Sequence, residues 1–210
     1  MKLPVIVYIS AASAFVPLIA GFYSWKSQGN LKLILWVAIC SIISDAVNFI
    51  LIDRRINSLP IANLYLVMQF ALLFLSFRDK NFITKILFYA CLSFSLINYS
   101  FLQMPKTFNS YTYYACGIVM IVTSISCLHS IMSDLEVDKV QTLPLLWLSF
   151  GVLVYYGGTL FVFLFNNYLI IRSPKSHQNI WSLHDALNIT KNFFLFMTLW
   201  VNYRSKTSQS

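Results

Sequence analysis

The residues best suited to chemistry in this sequence are polar and ionisable side chains that lie inside long apolar segments. The stretch 180–203, IWSLHDALNITKNFFLFMTLWVNY, carries His184, Asp185, Asn188, Lys191 and Asn192. At about 100° per residue, an α-helix places all five within one arc of roughly 120°, and the rest of the circumference is apolar. Because ionisable groups are expensive inside a membrane, this polar stripe predicts a functional site that faces other helices or a water-filled cavity.

A second polar face lies in segment 31–52, where Ser41, Asp45 and Asn48 recur at helical spacing. Since successive membrane helices alternate in direction, the end of this segment and the start of the last one lie at the same membrane face. Amides of other segments fall in the same half: Asn63, Asn98, Asn166 and Asn167. We therefore predict a polar cavity in one half of the bundle, with the candidate ligand-binding residues Asp45, Asn48, Asn63, His184, Asp185, Asn188, Lys191 and Asn192.

Each of these residues also has a purely structural interpretation. Asp45 and Lys191 could form a buried ion pair that fixes helix packing, or they could serve in binding or proton relay. His184 could shuttle protons near neutral pH or pack as a hydrogen-bonded side chain. The asparagines are residues that commonly join membrane helices through hydrogen bonds, and Gly157 with Gly158 favours a close helix approach or a kink.

Composition places the chain among integral membrane proteins. Of its 210 residues, 58% are hydrophobic and only 10% are charged, and the mean hydropathy is +0.69. Soluble domains carry about 25% charged residues, so this fraction argues against a water-soluble class. The fold predicted is all-α, a polytopic seven-transmembrane-helix bundle, with apolar segments at 3–25, 31–52, 58–77, 82–103, 111–132, 144–171 and 180–203. Residues 1–204 form this single domain, and residues 205–210 form a short polar tail.

The ends and loops of the segments suggest how the chain is inserted. The first segment could be a signal peptide, because Lys2 precedes it and residues 12–14 (Ala-Ser-Ala) resemble a cleavage site. The apolar run continues to Trp25, so we interpret it as the first helix. Lys and Arg in the short loops number eight on one side and six on the other, which favours an N-terminus outside and a cytoplasmic C-terminus. The net charge of +8 is dispersed among these loops, which suits a lipid bilayer and not a nucleic acid as partner.

Metal, disulfide and cofactor chemistry find little support in the spacing of residues. The cysteines lie in apolar runs without CxxC or Cys/His spacing, which favours buried thiols: Cys40, Cys91, Cys116 and Cys127. His184 and Asp185 point about 100° apart along a helix, so no metal site is predicted. A retinal Schiff base on Lys191 is disfavoured, because the position four residues earlier, an acid in microbial rhodopsins, is Leu187. No cofactor is predicted.

Four tryptophans and one tyrosine lie near the ends of the apolar segments. Aromatic residues at these positions are typical of the belts that anchor helices at the membrane–water interfaces. We assign this role to Trp25, Trp147, Trp181, Trp200 and Tyr203.

Six stretches of the sequence carry a resemblance: SDAVNFIL, LPIANLYLVMQF, FNSYT, PLLWLSFGVLVYYGG, FVFLFNN and IWSLHDALNITKNF. Together they resemble a family of uncharacterised seven-helix bacterial integral membrane proteins. The most distinctive part is a closing H-x-x-x-N-I-x-K-N pattern, formed by His184, Asn188, Ile189, Lys191 and Asn192. The resemblance implies a bundle in the cell inner membrane and no established activity. Members often carry an acid at the position of Gln69, and Arg and Glu at those of Tyr113 and Cys116, so carboxylate-dependent chemistry would be weaker here.

Three functions are compatible with these features. The leading hypothesis is a non-enzymatic sensor or interaction protein, whose cavity binds a small or lipidic ligand and which needs a membrane or cytoplasmic signalling partner. The first alternative is a membrane lipid hydrolase in which Asp45, His184 or Asp185 handles a proton. The second is a small-solute or proton-coupled transporter, with Asp45 and Lys191 as an alternating ion pair.

Overall fold

The computed structural model describes residues 4–23, 29–77, 82–103, 109–133, 140–170 and 174–207, and their side chains except those of 165–180 and 206–207. Regular structure in these ranges is helical throughout. Eight α-helices follow one another along the chain: α1 (Val5–Ser13), α2 (Phe15–Tyr23), α3 (Lys32–Asp53), α4 (Leu59–Ser76), α5 (Phe82–Ile97), α6 (Ser110–Ser133), α7 (Pro144–Ile170) and α8 (Pro174–Thr207). The predicted all-α bundle is therefore confirmed.

The helices reproduce the predicted segments, with α1 and α2 together forming the first. Proline explains their separation: Pro17 has no N–H to donate to the carbonyl of Ser13, and the helix is interrupted at Ala14 between these residues. The fourth segment ends in a short π-helical turn, Asn98–Leu102, after α5. Lys2 and Trp25, used in the choice between a signal peptide and a first helix, lie outside the described residues.

Six helical stretches of the described chain are long and apolar enough to cross a membrane. They comprise the combined α1–α2 stretch, α3 with its preceding turn, α4, α5 with its π-helical turn, α6 and most of α7. Large apolar side chains cover the outside of the bundle. On α3, for example, Trp36, Ile43 and Ile50 follow one another at seven-residue intervals and are each about half exposed, at 49%, 58% and 53%. A stripe of this kind suits contact with lipid.

The apolar core occupies one half of the bundle. Buried side chains come from the start of α3 and the end of α4, such as Ile34 and Leu73, and from the start of α7 and the end of α8, such as Leu148 and Leu195. Phe74 stacks on Phe88 of α5 with ring centroids 4.1 Å apart. The opposite half, where α3 ends and α4 and α8 begin, holds a cluster of polar side chains among aromatic rings.

The helix α8 packs along α7 and is also in contact with α1 and α2. Small residues of α7 make close packing with α8 feasible: a β-carbon on Gly151 would lie 2.5 Å from the β-carbon of Phe194, and one on Gly158 would lie 2.5 Å from Leu187 Cδ2. The predicted role of the Gly157–Gly158 pair in close approach therefore holds for Gly158, whereas Gly157 faces open space.

Replacing Gly151 by alanine should weaken the contact between α7 and α8. The added methyl meets the β-carbon of Phe194, which cannot move without its helix, so we expect the free energy of unfolding to fall by about 1–3 kcal/mol. The matched control is Gly157→Ala in the same helix, which meets nothing within 4 Å and should be tolerated. Unfolding followed in detergent by intrinsic fluorescence measures both, and equal stability of the two variants would contradict this packing.

Candidate functional site: a polar cavity between six helices

A cavity of about 290 Å³ lies in the polar half of the bundle. Its walls come from α1, α3, α4, α6, α7 and α8, together with Ser58 just before α4. Five of the eight predicted site residues line it: Asp45, Asn48, His184, Asp185 and Asn188. Small residues such as Ser10, Ser44 and Ala62 leave the space that these side chains surround. The predicted meeting of α3 and α8 in one half of the bundle is thus present in the structure.

Two carboxylates, Asp45 and Asp185, are the charged groups of the cavity wall. Both side chains are half-buried. Neither carboxylate forms a salt bridge within 4.0 Å or a hydrogen bond with any side chain that the structure describes. No described side chain therefore neutralises the charge of either carboxylate by direct contact. Free carboxylates in a low-dielectric wall favour a cationic or hydrogen-bond-donating ligand.

Lys191 lies deeper than the cavity and is only 1% exposed. Its Nζ donates a hydrogen bond to Gln69 Oε1 at 3.0 Å and lies 4.5 Å from the centroid of the Tyr155 ring. The direct Asp45–Lys191 ion pair considered from the sequence is not formed among the described side chains. A neutral amide and an aromatic ring hold the ammonium group instead, and this combination suits a buried cation.

His184 is surrounded by aromatic rings. The centroid of its imidazole is 5.7 Å from those of Trp181 and Phe163, and 6.2 Å from that of Tyr155. Its Nε2 is buried without a hydrogen-bond partner in the described part of the chain. Among the described side chains no carboxylate orients this imidazole, so its Nε2 is available to contact a molecule in the cavity.

Two asparagines of α8 join it to α1. Asn188 Nδ2 donates to Ser10 Oγ at 2.9 Å, and Asn192 Nδ2 donates to Ser13 Oγ at 2.7 Å. These bonds set the rotation of α8, so that the polar stripe faces the interior as predicted. Asn188 also lines the cavity, whereas Asn192 is buried in the helix contact.

The other predicted amides serve different contacts. Asn63 Oδ1 accepts a hydrogen bond from the backbone N–H of Asn109 at 3.3 Å. Asn98 Nδ2 donates to Thr112 Oγ1 at 2.9 Å, which joins the end of α5 to α6. Both asparagines lie outside the cavity wall and hold helices together, and the side chains of Asn166 and Asn167 lie outside the described residues.

Aromatic side chains complete the cavity wall and were not predicted there. Tyr65, Tyr113, Tyr155 and Trp181 all line the cavity. The assignment of Trp181 to an interface belt needs correction, because its indole packs on His184 inside the bundle. A tyrosine near the middle of a long apolar segment is out of place for an interface belt, so Tyr155 could have been recognised from the sequence. Tyr65 and Tyr113 lie close to helix starts and carry no such indication.

The cysteines form no disulfide: all four are free thiols, and Cys91 Sγ lies 3.5 Å from Cys116 Sγ. Within the described residues, no three His, Cys, Asp or Glu side chains are grouped as metal ligands would be. Comparisons with protein-family models, with curated proteins and with solved structures found no match.

Replacing Gln69 by leucine should destabilise the bundle, because the buried Lys191 ammonium loses its hydrogen-bond acceptor. We expect the free energy of unfolding to fall by at least about 1–3 kcal/mol, the typical cost of leaving a buried donor without a partner, because the cost is larger when the donor is charged. Thermal unfolding in detergent measures the effect. Met68→Leu, on the exposed side of the same helix, is the matched control and should leave stability unchanged.

The variant Gln69→Glu distinguishes a role in holding the cation from a role in packing. Glutamate keeps an oxygen near Lys191 Nζ and should preserve the wild-type stability or raise it. If Gln69→Leu and Gln69→Glu destabilise the protein equally, the contact between Gln69 and Lys191 is not what stabilises this level of the bundle.

Proposed function

We propose that this chain is an integral membrane binding protein with seven spans, in which the polar cavity accepts a small or lipidic ligand. In this proposal α1 and α2 form one span, and α3 to α8 form the other six. The observation that carries it is a cavity of about 290 Å³ lined by half-buried carboxylates, amides and aromatic rings. Pockets of this kind, with a few polar groups in a mostly apolar wall, are typical of ligand sites.

The polar residues of α8 do not argue against a seventh span. The helix has 34 residues, which at about 1.5 Å per residue exceeds the thickness of the hydrocarbon layer. Lys191, Asn188 and Asn192 all make hydrogen bonds to other helices, so the stripe needs no water on the outside of the bundle. With the N-terminus outside, the cavity lies in the outer half of the cell inner membrane, and the C-terminus is cytoplasmic.

A ligand in the cavity would contact most of the bundle, since six helices contribute to the cavity wall. A ligand that binds one helix arrangement more tightly than another shifts the population toward that arrangement. We infer that the protein acts as a sensor or interaction protein, and that a membrane or cytoplasmic partner binds the helix arrangement that the ligand favours.

The first test is native mass spectrometry of the full-length protein released from gently solubilised membranes, with identification of molecules that stay bound. We expect a bound small molecule or lipid on the wild type and its loss from Ala62→Phe, because the phenyl group fills the cavity that Ala62 lines. The matched control is Ile43→Phe on the lipid-facing side of α3, 58% exposed, which should retain the molecule. An equal amount of bound molecule on both variants, or none on the wild type, would contradict the proposal.

A membrane lipid hydrolase is the second candidate, because Asp45, His184 and Asp185 line the same cavity. If this is the activity, purified protein should release fatty acid or headgroup from vesicles of mixed phospholipids. Asp45→Asn and His184→Ala should then abolish turnover while the variants still fold, and Asp53→Asn, at the exposed end of α3, should not. The binding hypothesis expects no turnover from any of the four proteins.

A further inference from the structure

We propose that the cavity ligand is a lipid with an ammonium headgroup: the headgroup lies between Asp45, Asp185 and the aromatic wall, and the acyl chain lies in the apolar groove between α3 and α4. This proposal rests on the proposed binding function and names its ligand class. Charge, ring chemistry and the adjacency of two pockets support it independently.

The formal charges of the described side chains at the cavity sum to −1, which one monovalent cation would neutralise. Asp45 and Asp185 contribute two negative charges to the wall, and neither has a direct cationic partner among the described side chains. Lys191 contributes one positive charge, held behind the wall by Gln69 and the Tyr155 ring. One negative charge is left, and neutralising it with a monovalent cation lowers the cost of holding two carboxylates in a membrane.

The aromatic wall favours an organic ammonium over a metal ion. Tyr65, Tyr113, Tyr155 and Trp181 bring four rings to one small cavity. Aromatic faces attract ammonium groups, and clusters of such rings with a carboxylate are the usual way to recognise a quaternary ammonium. The Tyr155 ring already has the Lys191 ammonium 4.5 Å from its centroid, so cation–π contact operates at this level of the bundle.

The cavity adjoins a groove on the lipid-facing surface, and only two residues separate them. An apolar groove of about 240 Å³ runs between α3 and α4, and Ser44 and Tyr65 line both the groove and the polar cavity. Ile43, Leu64 and Met68 line the groove and are exposed on the outside of the bundle, at 58%, 55% and 41%. A cavity of about 290 Å³ lies at the lower end of the range for small-molecule sites, so it suits a headgroup, and the groove offers a place for a chain.

The headgroup is tested with two probes that share one acyl chain, lysophosphatidylcholine and lysophosphatidylglycerol. Each is titrated against the full-length protein in a non-ionic detergent and followed by native mass spectrometry. We expect at least tenfold tighter binding of the choline probe to the wild type. Asp45→Asn combined with Asp185→Asn should bring the affinity ratio close to one, and Asp53→Asn, an exposed carboxylate on α3 outside the cavity wall, should preserve it.

Filling the groove tests whether the ammonium group belongs to a lipid or to a free amine. Leu64→Trp places an indole in the groove and leaves the cavity wall intact, because Leu64 does not line the cavity. We expect it to weaken lysophosphatidylcholine binding at least tenfold and to leave tetramethylammonium binding unchanged. Unchanged lysophosphatidylcholine binding would overturn the lipid assignment in favour of a free amine.

Failure of the ammonium proposal differs from failure of the binding function. Equal or tighter binding of the glycerol probe to the wild type would overturn the ammonium headgroup, and it needs no variant that could misfold. A molecule that is bound in the native protein and displaced by Ala62→Phe would still support a binding cavity in that case. If the protein shows neither a preference for the choline probe nor a bound molecule that Ala62→Phe displaces, the ligand-binding function itself is overturned.

Discussion

The polar stripe of α8 is the constraint on which the rest of the structure depends. Buried polar side chains need hydrogen-bond partners within the protein, and three of those on α8 have partners on α1 and α4. Asn188 and Asn192 bind serines of α1, and the Lys191 ammonium binds Gln69 of α4. Together these contacts allow one rotation of α8. That rotation carries His184 and Asp185, one to two turns closer to the start of the helix, into the wall of the cavity.

The two halves of the bundle have different physical properties. One half is closed by apolar packing, with Leu148, Leu195 and Leu199 fully buried and with α7 held tightly against α8. The other half contains serines, amides and carboxylates around open space, where groups such as His184 Nε2 lack a partner in the described chain. Close-packed apolar interiors resist deformation, whereas a polar cavity with unsatisfied groups is stabilised by what enters it. In the proposed function, the packed half would stay fixed and the ends of the same helices around the cavity would move on ligand binding.

The sequence predicts the fold and the level of the site because both follow from periodicity. The length of each apolar segment locates the spans. The positions of Asp45, His184 and Asn188 locate the polar half, because alternating helix directions place the end of α3 and the start of α8 at the same end of the bundle. Partner choice does not follow from periodicity. Lys191 is near the level of Asp45 along the helix axis, but the angle between helices and the position of Gln69 decide that its amine binds the amide. Trp181 illustrates the same limit, because position near a segment end is shared by interface residues and by residues that turn inward onto His184.

Gln69 has a consequence for the charge of the cavity. An acid at this position, beside Lys191, would neutralise the ammonium locally. The cavity carboxylates would then be left with two uncompensated charges. The amide of Gln69 holds the Lys191 ammonium without neutralising it, so in the formal charge count the ammonium offsets one of the two cavity carboxylates. The residue behind the wall thus sets the net formal charge in front of it, and Gln69→Glu should raise the number of uncompensated carboxylate charges from one to two.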